Sequence, residues 1–118
     1  MKRFSLSRRE RITSTQEFRS SLSKSAFYVG KSIKIGVSRN GLDISRIGVS
    51  MRRENFRLAV TRNKLRRYVR EAFRLNKERI SAGYDIIVMP RAQAAGFDYG
   101  RFCEDFVCAA GKAGILIG

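Results

Sequence analysis

Thr61-Arg62-Asn63-Lys64-Leu65-Arg66-Arg67-Tyr68-Val69-Arg70-Glu71-Ala72-Phe73-Arg74 decides how the chain is read, because it is helical and lies between stretches that are not. At ~100° per residue Leu65, Val69, Ala72 and Phe73 fall in one arc with Tyr68 at its edge, so that arc faces a core. The helical period runs from about Val60 to Arg79, and Gly83 is expected to supply a left-handed C-terminal cap. Upstream, Ile33, Ile35 and Val37 alternate with Lys34, Gly36 and Ser38. Ile47, Val49 and Met51 likewise alternate with Arg46, Gly48 and Ser50, and a period of two predicts half-buried strands. Asn40-Gly41 between the two stretches is a hairpin cue, with Asp43 and Ser45 extending the loop. Tyr28 and Val29 allow a short extra strand. Downstream, the apolar run Tyr84 to Met89 predicts a central strand ended by Pro90.

Toward the N-terminus, Ser14-Thr15-Gln16-Glu17 reads as a capping box opening a short helix to about Leu22, with Phe18 and Leu22 as an i,i+4 apolar pair. Residues 1 to about 11 read as a loose basic arm. Toward the C-terminus, Asp98 caps a last helix carrying Phe102, Phe106 and Ala109 or Ala110 on one side, stopped at Gly111. The order is helix, three strands, helix, strand, helix. Such an order predicts one α+β domain over residues 1–118, a small mixed sheet covered by helices on one face.

Size and composition agree with one domain. A chain of 118 residues and 13.4 kDa should expose ~6,500 Å² when folded and ~19,400 Å² unfolded. Hydrophobic residues make up 43% of it, enough for a core. Zero His removes the usual general base, the commonest zinc ligand and every Ser-His or Cys-His nucleophile pair, which argues against a self-contained hydrolase. Cys103 and Cys108 are spaced unlike a metal or redox pair and read as buried small hydrophobes. No apolar run is long enough for a membrane span or a signal-peptide core, so a cytoplasmic protein is expected. The basic, Ser-rich first 25 residues resemble a transit peptide in composition, but the capping box and the Phe18–Leu22 pair look built to pack.

The charge points to a partner. Lys and Arg total 25 against 10 Asp and Glu, a formal charge of +15, and nucleic acid is the polyanion that compensates such an excess. On the central helix Arg66, Lys77, Arg70, Asn63, Arg74 and Arg67 follow in angular order beside the core arc, with Arg62 at the boundary and Glu71 and Lys64 beyond it. Like charges at i,i+4 cost an isolated helix roughly 0.2–0.5 kcal/mol per pair, and ordinary solvated faces mix signs. Guanidinium forks match phosphate oxygens, and Asn63 offers both donor and acceptor. On the strands, the non-core positions Lys34, Gly36, Ser38, Arg46, Gly48 and Ser50 are small or basic. They fit an extended single strand of nucleic acid and equally an ordinary wet sheet face, since no aromatic platform is evident on the strands. Phe18 either borders such a groove or packs in the core.

Ala59-Val60-Thr61-Arg62-Asn63-Lys64-Leu65-Arg66-Arg67-Tyr68-Val69-Arg70-Glu71-Ala72-Phe73-Arg74 resembles the arginine-rich "RNR" helix of the bacterial ribonuclease P protein component. Arg11-Ile12 with Glu17-Phe18, then Arg46-Ile47-Gly48-Val49-Ser50 and Tyr84-Asp85-Ile86-Ile87-Val88, resemble that family's other blocks in the same order. The resemblance spans about Arg8 to Phe106. It implies the protein subunit of a ribonucleoprotein that removes the 5′ leader of precursor tRNA. The RNA subunit would perform the Mg2+-dependent hydrolysis, and this chain would hold neither a catalytic residue nor a metal. It implies catalytic-RNA contacts at Arg62, Asn63, Lys64, Arg66, Arg67, Arg70 and Arg74. Phe18, Lys34, Gly36, Arg46, Ser50 and Arg52 would border the leader cleft. The implied partners are the catalytic RNA and precursor tRNA, with no membrane and no obligate protein partner. A left-handed βαβ crossover is also implied, against the usual right-handed rule. Arg57 stands where the family usually has Gly, and Leu22 and Gly36 stand where relatives can carry aromatics. The rival reading is a ribosomal or other structural RNA-binding protein.

Overall fold

Four strands and three helices make up the computed structural model, which describes residues 8–12 and 14–117. Ser14 caps α1 (Thr15–Lys24) by accepting the Glu17 amide, and Asp98 caps α3 (Tyr99–Lys112) by accepting the Arg101 amide. Between them run β1 (Ala26–Val29), β2 (Ile33–Arg39), β3 (Arg46–Val49), α2 (Ala59–Asn76) and β4 (Tyr84–Pro90). The expected element order and α+β class are the ones found.

The sheet order is β1-β2-β4-β3, so β2 and β3 are not partners and Asn40-Gly41 closes no hairpin. The local turn chemistry is present: Gly41 has φ 71°, and the Asn40 carboxamide oxygen accepts the Leu42 amide. What separates the strands is β4, whose Asp85, Ile86, Ile87 and Val88 are all buried. A strand buried on both faces belongs in the middle, antiparallel to β2 and parallel to β3, with α2 making the β3–β4 crossover. Arg11 extends the β3 edge through a parallel bridge to Ile47, with the Ile12 amide donating to the Ile47 carbonyl. The expected loose arm is therefore docked from Arg8 onward; its residues 1–7 lie outside the described residues.

One face of the sheet packs on α2 and α3. Ile33, Ile35, Val37, Ile47, Ile86 and Val88 meet Leu65, Val69, Ala72 and Phe73 of α2 and Phe102, Phe106, Ala109 and Ala110 of α3. Fully burying each of the large side chains contributes about 1.5–3 kcal/mol. Tyr68 sits at the edge of the arc, 5.5 Å from the Tyr99 ring and 5.6 Å from Phe102. The total exposed surface is 7120 Å².

Three local expectations are corrected. α2 ends at Asn76, followed by a 3₁₀ turn over Lys77–Arg79, and Gly83 (φ 92°) lies in the approach to β4 with its carbonyl accepting the Asn40 amide. α3 runs past Gly111 to Lys112, and Gly114 (φ 75°) is the left-handed residue after it. Cys103 is half-buried against the edge of the core, where its sulfur accepts from Asn76 Nδ2 at 3.7 Å, and Cys108 is exposed; both are free thiols.

Candidate nucleic-acid interface

The second sheet face is not uniformly bare. β-pairing places Lys34, Met89 and Ser50 in one row, Phe27, Gly36, Ile87 and Gly48 in the next, and Ser38, Asp85 and Arg46 in a third. α1 lies over the second and third rows, so the expectation of a sheet covered on one face holds only at its Lys34 end. Gly48 leaves room there for α1: a Cβ would stand 3.0 Å from the Phe18 ring and 3.4 Å from Ile12. At Gly36 a Cβ would stand 2.9 Å from the Phe27 ring and 3.0 Å from Ser25. The two glycines thus admit the protein's own aromatic rings, one from each side of buried Ile87, instead of a foreign backbone.

Phe27 is the residue that sequence reasoning missed. It is 45% exposed, lies on the cleft face and carries the Lys34 ammonium 4.8 Å from its ring centroid. The signal was available in the alternation with Tyr28, which packs against the core from the opposite face of β1. Phe18 is half-buried, so the cleft has an aromatic at either side of its floor. Beyond the Lys34–Met89–Ser50 row the surface opens into a basic hollow of about 370 Å³ that Arg52, Asn55, Arg91 and Gln93 also line. Arg52 is exposed and reaches Glu54 only at 3.8 Å.

Arg46 is placed differently from the other expected cleft residues. Its Nε and Nη2 donate to the two oxygens of Asp85 at 2.8 and 2.7 Å, and its Nη1 donates to Glu17 at 3.2 Å. With its side chain 14% exposed, it ties strand to helix rather than facing outward. The hydrogen bonds it donates to Asp85, outweighing burial, hold its pKa above the ordinary guanidinium value.

On α2 the expected RNA-facing residues divide into groups. Arg66, Arg67 and Arg70 form no ion pair with an acid among the described residues; Arg66 donates at 3.4 Å to the exposed Asn63 carboxamide. Arg62 turns back along the helix start, giving Nη1 to the Phe56 and Arg57 carbonyls at 2.8 and 2.9 Å. Since Leu58 offers no side-chain cap, Arg62 is what braces the turn into α2. Lys64 reaches the Ala95 carbonyl at 3.3 Å. Arg74 is paired with Glu71 through two bonds of 2.9 and 2.8 Å, and Lys77 with Glu10 at 3.1 and 3.2 Å. Chiefly through those Arg74 bonds, the Glu71 carboxyl is held below its ordinary pKa. The acid-free stripe is thus shorter than its angular reading suggests: Glu71 closes its end because i and i+3 are neighbours on a helix.

Asp85 and Asp105 are filled by donors of the chain itself, and among the described residues no group of three or more His, Cys, Asp or Glu converges. None of the described helices is long and apolar enough to cross a membrane.

The family model for Ribonuclease P matches residues 6–114. The ribonuclease P protein component of Thermotoga maritima is 42% identical over 92 residues, covering 74% of each chain. That of Syntrophus aciditrophicus is 31% identical over 105 residues, covering 89% of this chain and 87% of its own. Among solved structures, a Staphylococcus aureus RNase P protein mutant with defective mRNA degradation activity superposes with a TM-score of 0.83 at 25% identity, over 91% of this chain and 90% of that one. The Thermotoga maritima RNase P protein does so with 0.75 at 31% identity, over 83% and 92%. Family model, similar sequences and superposed structures thus converge on one assignment: the chain belongs to the ribonuclease P protein family.

Proposed function

We propose that this chain holds two RNAs on two surfaces, the catalytic RNA along α2 and the single-stranded 5′ leader of precursor tRNA in the cleft between α1 and the sheet. As a ribonuclease P protein component it is part of the endoribonuclease that matures tRNA 5′ ends, rather than a ribosomal part. The division of labour is the proposal. Hydrolysis with Mg2+ falls to the RNA, and the chain's own residues bind and orient.

The observation that carries the reading is the row Arg66, Arg67 and Arg70, three guanidinium groups with no ion pair among the described residues, on a helix whose other long cations, Arg62, Lys64 and Arg74, are bonded within the chain. Crowding them costs helix stability, and phosphates repay it by counterion release. In the cleft, Phe27 and Phe18 offer faces to bases while Lys34, Ser50 and Arg52 neutralise or donate to the backbone, a combination that tolerates any leader sequence. Arg46 supports the cleft through Asp85 and Glu17.

Reconstitution in the cytoplasmic range of magnesium, with catalytic RNA and precursor or mature tRNA, tests this. Addition of the protein should tighten binding of leader-bearing tRNA more than mature tRNA. Equal tightening of both overturns the leader assignment, and association with ribosomal RNA alone overturns the assembly surface.

A further inference from the structure

α1 is a helix with almost no core. Of its ten residues only Ser21 is buried, Phe18 and Leu22 are half-buried, and none belongs to the hydrophobic cluster that holds the sheet to α2 and α3. Ten residues are too few for a helix to persist alone in water, so something must hold it against the sheet. The holding contact is polar. Asp85, 3% exposed near the start of β4, accepts from Ser21 Oγ at 2.5 Å, Asn40 Nδ2 at 2.9 Å and Arg46 Nε and Nη2 at 2.8 and 2.7 Å. Arg46 then reaches Glu17, one helical turn before Ser21 on the same face of α1. Phe18, adjacent to Glu17, rests on Gly48, two residues along β3 from Arg46.

We infer that Asp85 is a positioning residue: by clasping α1 to the sheet through Ser21 and the Arg46–Glu17 arm, it sets where Phe18 stands over the strands and so the grip of the cleft on its RNA. The inference rests on the cleft being the leader site. A hydrophobic seam would let the helix slide at little cost, since apolar contact is non-directional. Four charge-assisted donors on one buried carboxylate do not, because displacement strands the largely buried Asp85 and Arg46 without their partners. Burial alone would raise the Asp85 carboxyl pKa, but the bonds from Arg46, Ser21 and Asn40 outweigh it and leave the pKa below its ordinary value, so the clasp stays charged.

The test cuts the clasp from the helix side, where the fold is not at risk. Ser21→Ala with Glu17→Gln leaves the Asp85–Arg46 pair and both strands intact. In the free protein, amide exchange across residues 15–24 should accelerate about tenfold while β2 and β4 stay protected. In the reconstituted holoenzyme, the preference for leader-bearing over mature tRNA should fall about fivefold with mature-tRNA affinity unchanged. Ser21→Thr, which keeps the hydroxyl, should restore both. Asp85→Asn should show the same pattern more strongly if it folds. Unaltered exchange in the double variant overturns the clasp. Faster exchange with an unaltered preference overturns its role in substrate grip. A wild-type holoenzyme with no leader preference would instead overturn the cleft reading and with it the functional half of this inference, while exchange still decides whether the clasp holds α1.

Discussion

Ser32 gives both its amide and its hydroxyl to one oxygen of Asp105, each at 2.6 Å, and so fastens the β1–β2 turn to α3 across 73 positions of sequence. The Lys31 amide takes the other oxygen at 3.0 Å. A Cβ at Gly30 would stand 2.5 Å from that oxygen, so this turn needs glycine to let the carboxylate in. Asp105→Ala leaves three donors without partners and should lower stability by roughly 3 kcal/mol, read from denaturant midpoints. A loss under about 1 kcal/mol would mean that water replaces the carboxylate.

The same group makes stability depend on acid. Burial would raise the Asp105 pKa, but the Ser32 and Lys31 donors more than offset it and leave the pKa below its ordinary 3.8. A depressed folded-state pKa contributes stability that is complete above the unfolded value and is lost as pH falls through the folded one. Wild type should therefore lose stability below about pH 3.8, and Asp105→Asn should flatten that part of the profile in thermal scans at stepped pH.

Arg66→Ala, Arg67→Ala and Arg70→Ala should each weaken binding of catalytic RNA and reduce the log-log salt slope by roughly 0.7–0.9 if each meets one phosphate. Arg74→Ala should change the slope less, because Glu71 already holds that guanidinium. Arg62→Ala should also lower thermal stability, since it frees the Phe56 and Arg57 carbonyls. Filter binding from low to moderate salt separates the three behaviours.

Gly48→Ala puts a methyl 3.0 Å from the edge of the half-buried Phe18 ring, which must give way by a few tenths of an ångström. Thermal stability should fall by less than about 1 kcal/mol, while the advantage of leader-bearing over mature tRNA shrinks. Retention of that advantage would show that Phe18 does not face the leader.

Phe27→Ala should leave the fold nearly unchanged, as the ring is 45% exposed, but cost about 1–3 kcal/mol of leader affinity if a base stacks on it. Phe27→Tyr, which keeps the ring, should bind as wild type. Comparison of competition binding by precursor tRNAs with and without a leader checks both.

The elements and their core faces were readable because their causes are local. Leu65, Val69, Ala72 and Phe73 recur at helical spacing and are buried, and Ser14 and Asp98 cap helices through bonds only three residues long. The cationic row of α2 was readable for the same reason, but not that Arg66, Arg67 and Arg70 are its members with no ion pair among the described residues. The end of its stripe was also within reach, since Glu71 and Arg74 are i,i+3 neighbours. Lys77 was not, because its partner Glu10 comes from the far end of the chain.

Amino-acid order by itself determined which segments are helix or strand, which faces are apolar and where the cationic row lies, because helical and pleated periods and cap chemistry act within a few residues. Only the tertiary structure decided that β4 enters between β2 and β3, that Phe18 and Phe27 occupy the space above two glycines, and that Arg46 serves Asp85 and Glu17. Each of those depends on groups distant along the chain competing to bury the same surface or complete the same carboxylate. That competition is settled by packing and desolvation in three dimensions, for which spacing along the sequence holds no measure.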